Sequence, residues 1–330
     1  MSWLDTPLAR RLGLRMPIIQ APMAGGISTP RLAAAVAGAG GLGSIAGAML
    51  PPDRIRAAIA EFRAVAGRRA PFAVNLFAPL PRPSTDRVAE WAALTGVAPP
   101  AHFPPAPDFA DQLDVVVAEG VPVFSFTFGI PDRAQLDRVG AVTIGTATTV
   151  AEAVALERAG VGAIVAQGYE AGGHRGTFLV RVERSLVGTL ALVPQVVDAV
   201  SVPVIASGGI MDGRGVAAAL ALGAQAVQLG TAFLRCPESG ASEAHRRSLT
   251  GETTITDVLT GRHARAVRTP LVDRLEAAGV APPDYPLPRA LSPEPPMLAG
   301  QGAAHARALP AADLVTALRA ETDAAFAAKP

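Results

Sequence analysis

Lysine is almost absent from this 330-residue chain: the only one is Lys329, beside the C-terminus. Schiff-base catalysis and a P-loop phosphate site are therefore excluded, since each needs an amine held inside a folded site. Cysteine is equally scarce. A lone Cys236 allows no disulfide within the chain and no CxxC metal site, which suits a reducing compartment and makes the cytoplasm the expected location. Basic and acidic residues nearly cancel, for a net charge of +1, and no basic block is interleaved with aromatics. Nucleic acid is thus not an expected partner. The N-terminal segment lacks an apolar stretch followed by a small-residue cleavage site, so no signal peptide is expected.

One long uncharged run exists, residues 215–234, GVAAALALGAQAVQLGTAFL. Gly223, Gln225 and Gln228 interrupt it, and a helical half gives way to a β-type half. It reads as a buried helix followed by a strand, with no membrane span.

What the chain has in abundance is hydrophobic residues, half of the total, arranged as short apolar runs alternating with Ala-rich stretches. The runs lack polar alternation, which is the mark of parallel strands covered on both faces. Eight are expected: Pro17–Pro22, Gly41–Gly47, Phe72–Pro79, Val121–Gly129, Val142–Ala147, Gly162–Gly168, Val202–Gly209 and Ala226–Phe233. Between them Pro30, Pro52 and Thr149 mark helix starts, and glycines mark the stops. Eight such units predict one (β/α)8 TIM-barrel domain over residues 1–330, with a Pro-rich insertion or lid at about 80–109 and a C-terminal extension at about 235–330. Gly38-Ala39-Gly40-Gly41-Leu42-Gly43 has the spacing of a dinucleotide fingerprint. It follows a helix and precedes a strand, the reverse of that motif's context, and is read as a helix end with close packing.

A parallel barrel places its chemistry at the C-terminal ends of its strands. The first run ends in Gln20-Ala21-Pro22-Met23-Ala24-Gly25-Gly26, small residues that let a flat ring lie against backbone. Asn75 in the third and Gln167 at the end of the sixth carry amides that either bond a heterocycle edge or are satisfied core groups. The sixth run continues through Gly172-Gly173-His174-Arg175-Gly176. The seventh and eighth end in Gly208-Gly209 and Gln228-Leu229-Gly230-Thr231, turns whose N–H groups suit a phosphate. Five histidines are present, and His174 alone stands at a strand mouth, where a group titrating near neutrality can act as a base. His102, His245, His263 and His305 are read as surface or hydrogen-bonding residues. No second ligand at metal spacing accompanies His174. The alternation Phe124/Phe126/Phe128 is read as one face of the fourth strand.

In order, QAPMAGGISTP, the Asn75 strand, QGYEAGGHRGTF, ASGGI and QLGTAF resemble the nitronate monooxygenase (2-nitropropane dioxygenase) family over nearly the whole chain. The resemblance implies noncovalent FMN touching Pro22, Met23, Ala24, Asn75, Gln167, Gly172, Gly173, Gly208, Gly209, Gln228, Leu229, Gly230 and Thr231. It also implies His174 as the catalytic base, and a nitronate or nitroalkane together with O2 as the reactants. Leu298-Ala299-Gly300-Gln301 resembles the family's AGQ segment over the flavin site, although Leu298 stands where many relatives carry an aromatic residue. FMN-dependent enoyl-thioester and quinone reductases share several of these motifs and remain the principal alternative. A flavin-free barrel lyase or isomerase would use the same phosphate turns, and a noncatalytic barrel would leave His174 without a purpose. The oligomeric state is left open.

Overall fold

A computed structural model describes residues 2–328, so that Lys329 lies outside the described residues. All eight expected runs are strands: β1 Ile18–Gln20, β2 Gly43–Ala46, β3 Phe72–Phe77, β4 Val123–Thr127, β5 Val142–Ala147, β6 Ala163–Gln167, β8 Val204–Ser207 and β9 Ala226–Leu229. Each strand is parallel to its neighbours in the order β1-β9-β8-β6-β5-β4-β3-β2. A parallel bridge between Ile19 and Leu42 joins the two ends. There the N–H of Leu42 donates to the Ile18 carbonyl and that of Gln20 to the Leu42 carbonyl, each at 2.9 Å, which closes the (β/α)8 barrel.

Residues pointing into the barrel pack as a separate core: Ile19, Leu42, Ala73, Val123, Ile144, Ala163, Val165, Ile205 and Ala226 meet Leu8, Leu12 and Leu14. The last three come from the short helix Pro7–Leu12 and the turn after it. With one end of the barrel filled by this plug, bound chemistry is left to the opposite mouth. The apparent dinucleotide fingerprint is packing. A Cβ on Gly43 would stand 2.1 Å from the Ala33 carbonyl oxygen, and one on Gly41 2.7 Å from that of Ile18. The apolar run at 215–234 divides as expected into the helix Gly213–Ala221, a left-handed Gly223 and β9. Among the described residues no helix is long and apolar enough to cross a membrane.

Two segments outside the barrel repeat combine. Within the Pro-rich stretch, the helix Val88–Thr95 buries Trp91 against a cluster that includes Val258, Leu259, Leu271, Leu275, Leu287 and Leu291, all from the C-terminal region. The backbone N–H of Ser84 also donates to the Asp284 carboxylate at 2.9 Å. The C-terminal region further supplies β10 Thr253–Thr256 and β11 Ala264–Val267, which form a small antiparallel sheet with β7, Gly173–His174. Its last helix, Ala311–Ala327, lies against the helix Gly213–Ala221, closely enough that a Cβ on Gly213 would stand 2.3 Å from the Thr322 nitrogen.

Candidate active site

A cavity of about 330 Å³ opens at the C-terminal mouth of the barrel. Pro22, Met23, Ala24, Asn75, Gln167, Gly172, Gly173, His174, Gly208, Gly209, Gln228, Leu229, Gly230 and Thr231 all line it. Fourteen residues picked from six separate segments of the sequence therefore share one space.

The turns after β8 and β9 have the form of an anion cradle. Gly208 and Gly209 take left-handed φ values of +123° and +71°, a conformation that favours glycine. Among the described residues, the backbone N–H groups of Gly208, Gly209, Gly230 and Thr231 find no protein acceptor. A Cβ on Gly230 would lie 3.4 Å from the Ala21 Cβ and 3.6 Å from the Met23 sulfur, so glycine here keeps side-chain bulk out of the cavity. Gly172 is a glycine for a different reason: a Cβ there would meet the Gly300 nitrogen at 2.5 Å. It is needed where the AGQ segment crosses the loop after β6, and the backbone N–H of Gln301 donates to the Glu170 carbonyl at 2.9 Å.

Both amides are already partly engaged. Asn75 donates from Nδ2 to Ser125 Oγ at 3.0 Å. Gln167 donates from Nε2 to the His174 carbonyl at 3.0 Å, while its Oε1 accepts from the Gly176 N–H at 2.8 Å and from Arg175 Nη1 at 3.0 Å. With its oxygen doubly occupied, Gln167 has only its second N–H to offer a ligand. Arg175 is fully buried behind it and donates to the carbonyls of Gln167, Gly168 and Ser185. Burial pushes its guanidinium down to about 10, which still leaves it charged at neutral pH.

His174 stands in strand β7, although a loop is the sequence expectation. Its backbone is paired with Ala264 of β11, so the C-terminal region fixes where the imidazole goes. The ring sits edge-on to Phe128 and Tyr285, with centroids at 5.6 and 5.2 Å. Its Nε2 lies 3.0 Å from Thr260 Oγ1. Burial first, and then the charges of Arg262 and Arg289, lower its pKa to about 3. The imidazole is thus neutral at pH 7, able to accept a proton, and poorly able to keep one unless an anion is bound beside it.

The reading of Phe124/Phe126/Phe128 as one strand face needs correction. Phe124 and Phe126 are buried in β4, but the strand ends at Thr127 and Phe128 adopts φ +77°. A left-handed phenylalanine is strained, and strain of this kind gathers at functional sites. It turns the ring away from the strand repeat and against Phe77, His174 and Tyr285. Glu170, whose spacing from His174 carries no information in sequence, accepts the backbone N–H of Thr189 at 2.9 and 3.0 Å and its hydroxyl at 2.8 Å. The carboxylate thereby caps the helix Thr189–Ala199, whose own N-cap residue is Gly188, and ties that helix to the loop after β6. Thr260, Tyr285, Arg289 and Met49 also line the cavity and are missed by sequence reasoning, because no periodicity or motif marks them.

A closed parallel barrel whose polar groups converge at one strand mouth defines an α/β-barrel enzyme. The model of the nitronate monooxygenase family matches residues 8–321, and the chain belongs to that family of oxidoreductases, which is generally flavin-dependent. It is 44% identical to the nitronate monooxygenase of Pseudomonas aeruginosa, over 94% of this chain and 97% of that one. Among solved structures, nitroalkane oxidase from Streptomyces ansochromogenes is 40% identical with a TM-score of 0.88, covering 97% of this chain and 99% of its own. FabK from Thermotoga maritima is 30% identical with a TM-score of 0.75, covering 98% and 97%.

Proposed function

We propose that the protein oxidises alkyl nitronates, and nitroalkanes after removal of their α-proton, with FMN and O2, giving a carbonyl compound and nitrite. The observation that carries this reading is the position of neutral His174 in the same cavity as two turns of acceptor-free backbone N–H groups. Four such donors and a glycine at 230 that admits bulk fit a phosphate and the chain leading to a flat ring. In this reading Gly208, Gly209, Gly230 and Thr231 hold the phosphate. Pro22, Met23 and Ala24 lie along the ring, Asn75 and Gln167 bond its edge, and Gln228, Leu229, Gly172 and Gly173 complete the wall.

Bound FMN supplies the acceptance of electrons from the substrate and their return to O2. The protein's own residues do the rest. His174 takes the α-proton of a neutral nitroalkane, a service worth roughly 100-fold or more. Phe77, Phe128 and Tyr285 form an aromatic wall that leaves the imidazole only partly open to water. A nitronate, having already lost that proton, needs only to be held.

The test combines a spectrum with two reductants. The purified protein should be yellow and release FMN on heat denaturation. Under anaerobic conditions a nitronate should bleach the flavin promptly and NAD(P)H hardly at all. Prompt bleaching by NAD(P)H alone would replace this reading with an enoyl-thioester or quinone reductase, and recovery of FAD would remove the mononucleotide assignment.

A further inference from the structure

Four arginines surround the mouth of the barrel, and three are committed. Arg175 is spent on carbonyls behind Gln167. Arg265 donates to the Tyr169 carbonyl at 3.0 Å. Arg262 donates to the Thr177 carbonyl at 2.8 Å, and its guanidinium lies 3.9 Å from the centre of the Phe128 ring.

Arg289 differs. It lines the cavity from the short turn Leu287–Leu291, which is anchored by the buried side chains of Leu287 and Leu291. The one hydrogen bond of its guanidinium among the described residues runs from Nη1 to the sulfur of Met49, a weak acceptor. No carboxylate of the described residues lies within ion-pair reach of it. Gly25 makes room for the guanidinium, since a Cβ there would stand 3.2 Å from Nη2. Leaving a half-buried cation without a counter-ion is costly, and the cost is recovered when an anion arrives. The charge is also felt by the groups around the reacting centre, lowering the pKa of His174 and opposing the rise that burial imposes on Tyr285.

We propose that Arg289 is the substrate-recognition residue of this cavity, its guanidinium engaging the two oxygens of the nitronate head and so selecting anionic over neutral substrates. The proposal rests on the functional reading given above. Its chemical ground is the match between a planar N–H fork and a planar O–N–O anion, which accepts two parallel hydrogen bonds as a carboxylate does. Bound there, the anion supplies the counter-charge that His174 lacks, so one group serves both to place the substrate and to let the imidazole hold a proton.

Nitrate, a planar monoanion with the same O–N–O geometry, serves as the probe. It is titrated into flavin-replete holoenzyme while the visible flavin spectrum is followed, and then tested as an inhibitor against a nitronate. Nitrate should perturb the spectrum and compete with the nitronate. In Arg289→Met the nitrate affinity should fall and the nitronate KM rise, each by roughly 10-fold or more, as for loss of a hydrogen bond to a charged group. The change should fall on KM far more than on kcat. Arg289→Lys, which keeps charge but not the fork, should lie between and guards against a variant that fails to fold. Unchanged nitrate affinity and KM in folded, flavin-replete Arg289→Met would overturn the proposal, as would a defect confined to flavin retention. A wild-type protein that binds nitrate through Arg289 yet oxidises no nitronate would sink the functional reading and leave the anion site standing.

Discussion

Thr260 accepts a hydrogen bond from His174. The two side chains are 3.0 Å apart, and the direction follows from counting protons: the threonine hydroxyl has one hydrogen, and it is donated to the Arg262 carbonyl at 2.8 Å, a group that can only accept. Nε2 of neutral His174 must therefore carry the ring proton, which leaves Nδ1 as the basic nitrogen. Thr260→Val should remove this control and lower kcat/KM on a neutral nitroalkane by roughly 3- to 10-fold, the worth of one neutral hydrogen bond. Thr260→Ser should restore it, and oxidation of a preformed nitronate should change less. Equal losses on both substrates would mean that Thr260 shapes the cavity and has no part in proton transfer.

His174→Asn keeps a polar side chain but removes the proposed base. Activity on neutral nitroalkanes should drop by roughly 100-fold or more, and activity on nitronates much less. Both rates are to be compared at equal flavin content. A parallel fall on both would make His174 a binding group.

The low pKa of His174 has a readable pH signature. In its proposed role as base His174 works when neutral, and its pKa is lowered from 6.5 to about 3 by burial and then by Arg262 and Arg289, so acidification should spare it well below 6.5. The acid limb of kcat/KM on a neutral nitroalkane, which reports the free enzyme, should lie below the ordinary histidine value. Arg262→Gln removes one of the opposing charges and should move that limb upward. An acid limb at or above 6.5 in the wild type would contradict this account of the imidazole's surroundings.

Gly230→Val tests the proposed phosphate cradle. Gly209, at φ +71°, would be strained by any side chain, so its replacement would not separate strain from blocked access. Gly230 has no such backbone requirement, and its added side chain would point toward Ala21 and Met23 at ordinary contact distance. The variant should fold with near-normal thermal stability and lose most of its flavin. Full flavin occupancy in a folded Gly230→Val protein would show that this turn is packing alone.

Trp91→Ala addresses the Pro-rich insertion. Because Trp91 is buried against Leu271, Leu287 and Leu291, its loss should cost about 3–5 kcal/mol in denaturant unfolding. A cost below about 1 kcal/mol would argue that the insertion is loosely held, as a mobile lid requires.

The sequence alone determined the barrel, its eight strands and the mouth at which chemistry gathers. Each depends on local signals: apolar runs without alternation, proline and threonine at helix starts, glycine at stops, and glycine pairs after the last strands. It also determined that His174, Asn75, Gln167 and the two phosphate-type turns belong to one cavity, because strand order in a parallel barrel brings every strand's C-terminal end to the same rim. What surrounds the imidazole was decided only by tertiary structure. Thr260 lies 86 residues further along the chain, and Tyr285 and Arg289 reach the mouth from a turn that Trp91 of the insertion helps to anchor. Phe128 leaves its strand's alternation through a left-handed backbone that no residue pattern announces. Periodicity records which face of an element is buried, whereas the proton on Nε2 and the charge beside it depend on side chains brought together by packing between elements distant in sequence.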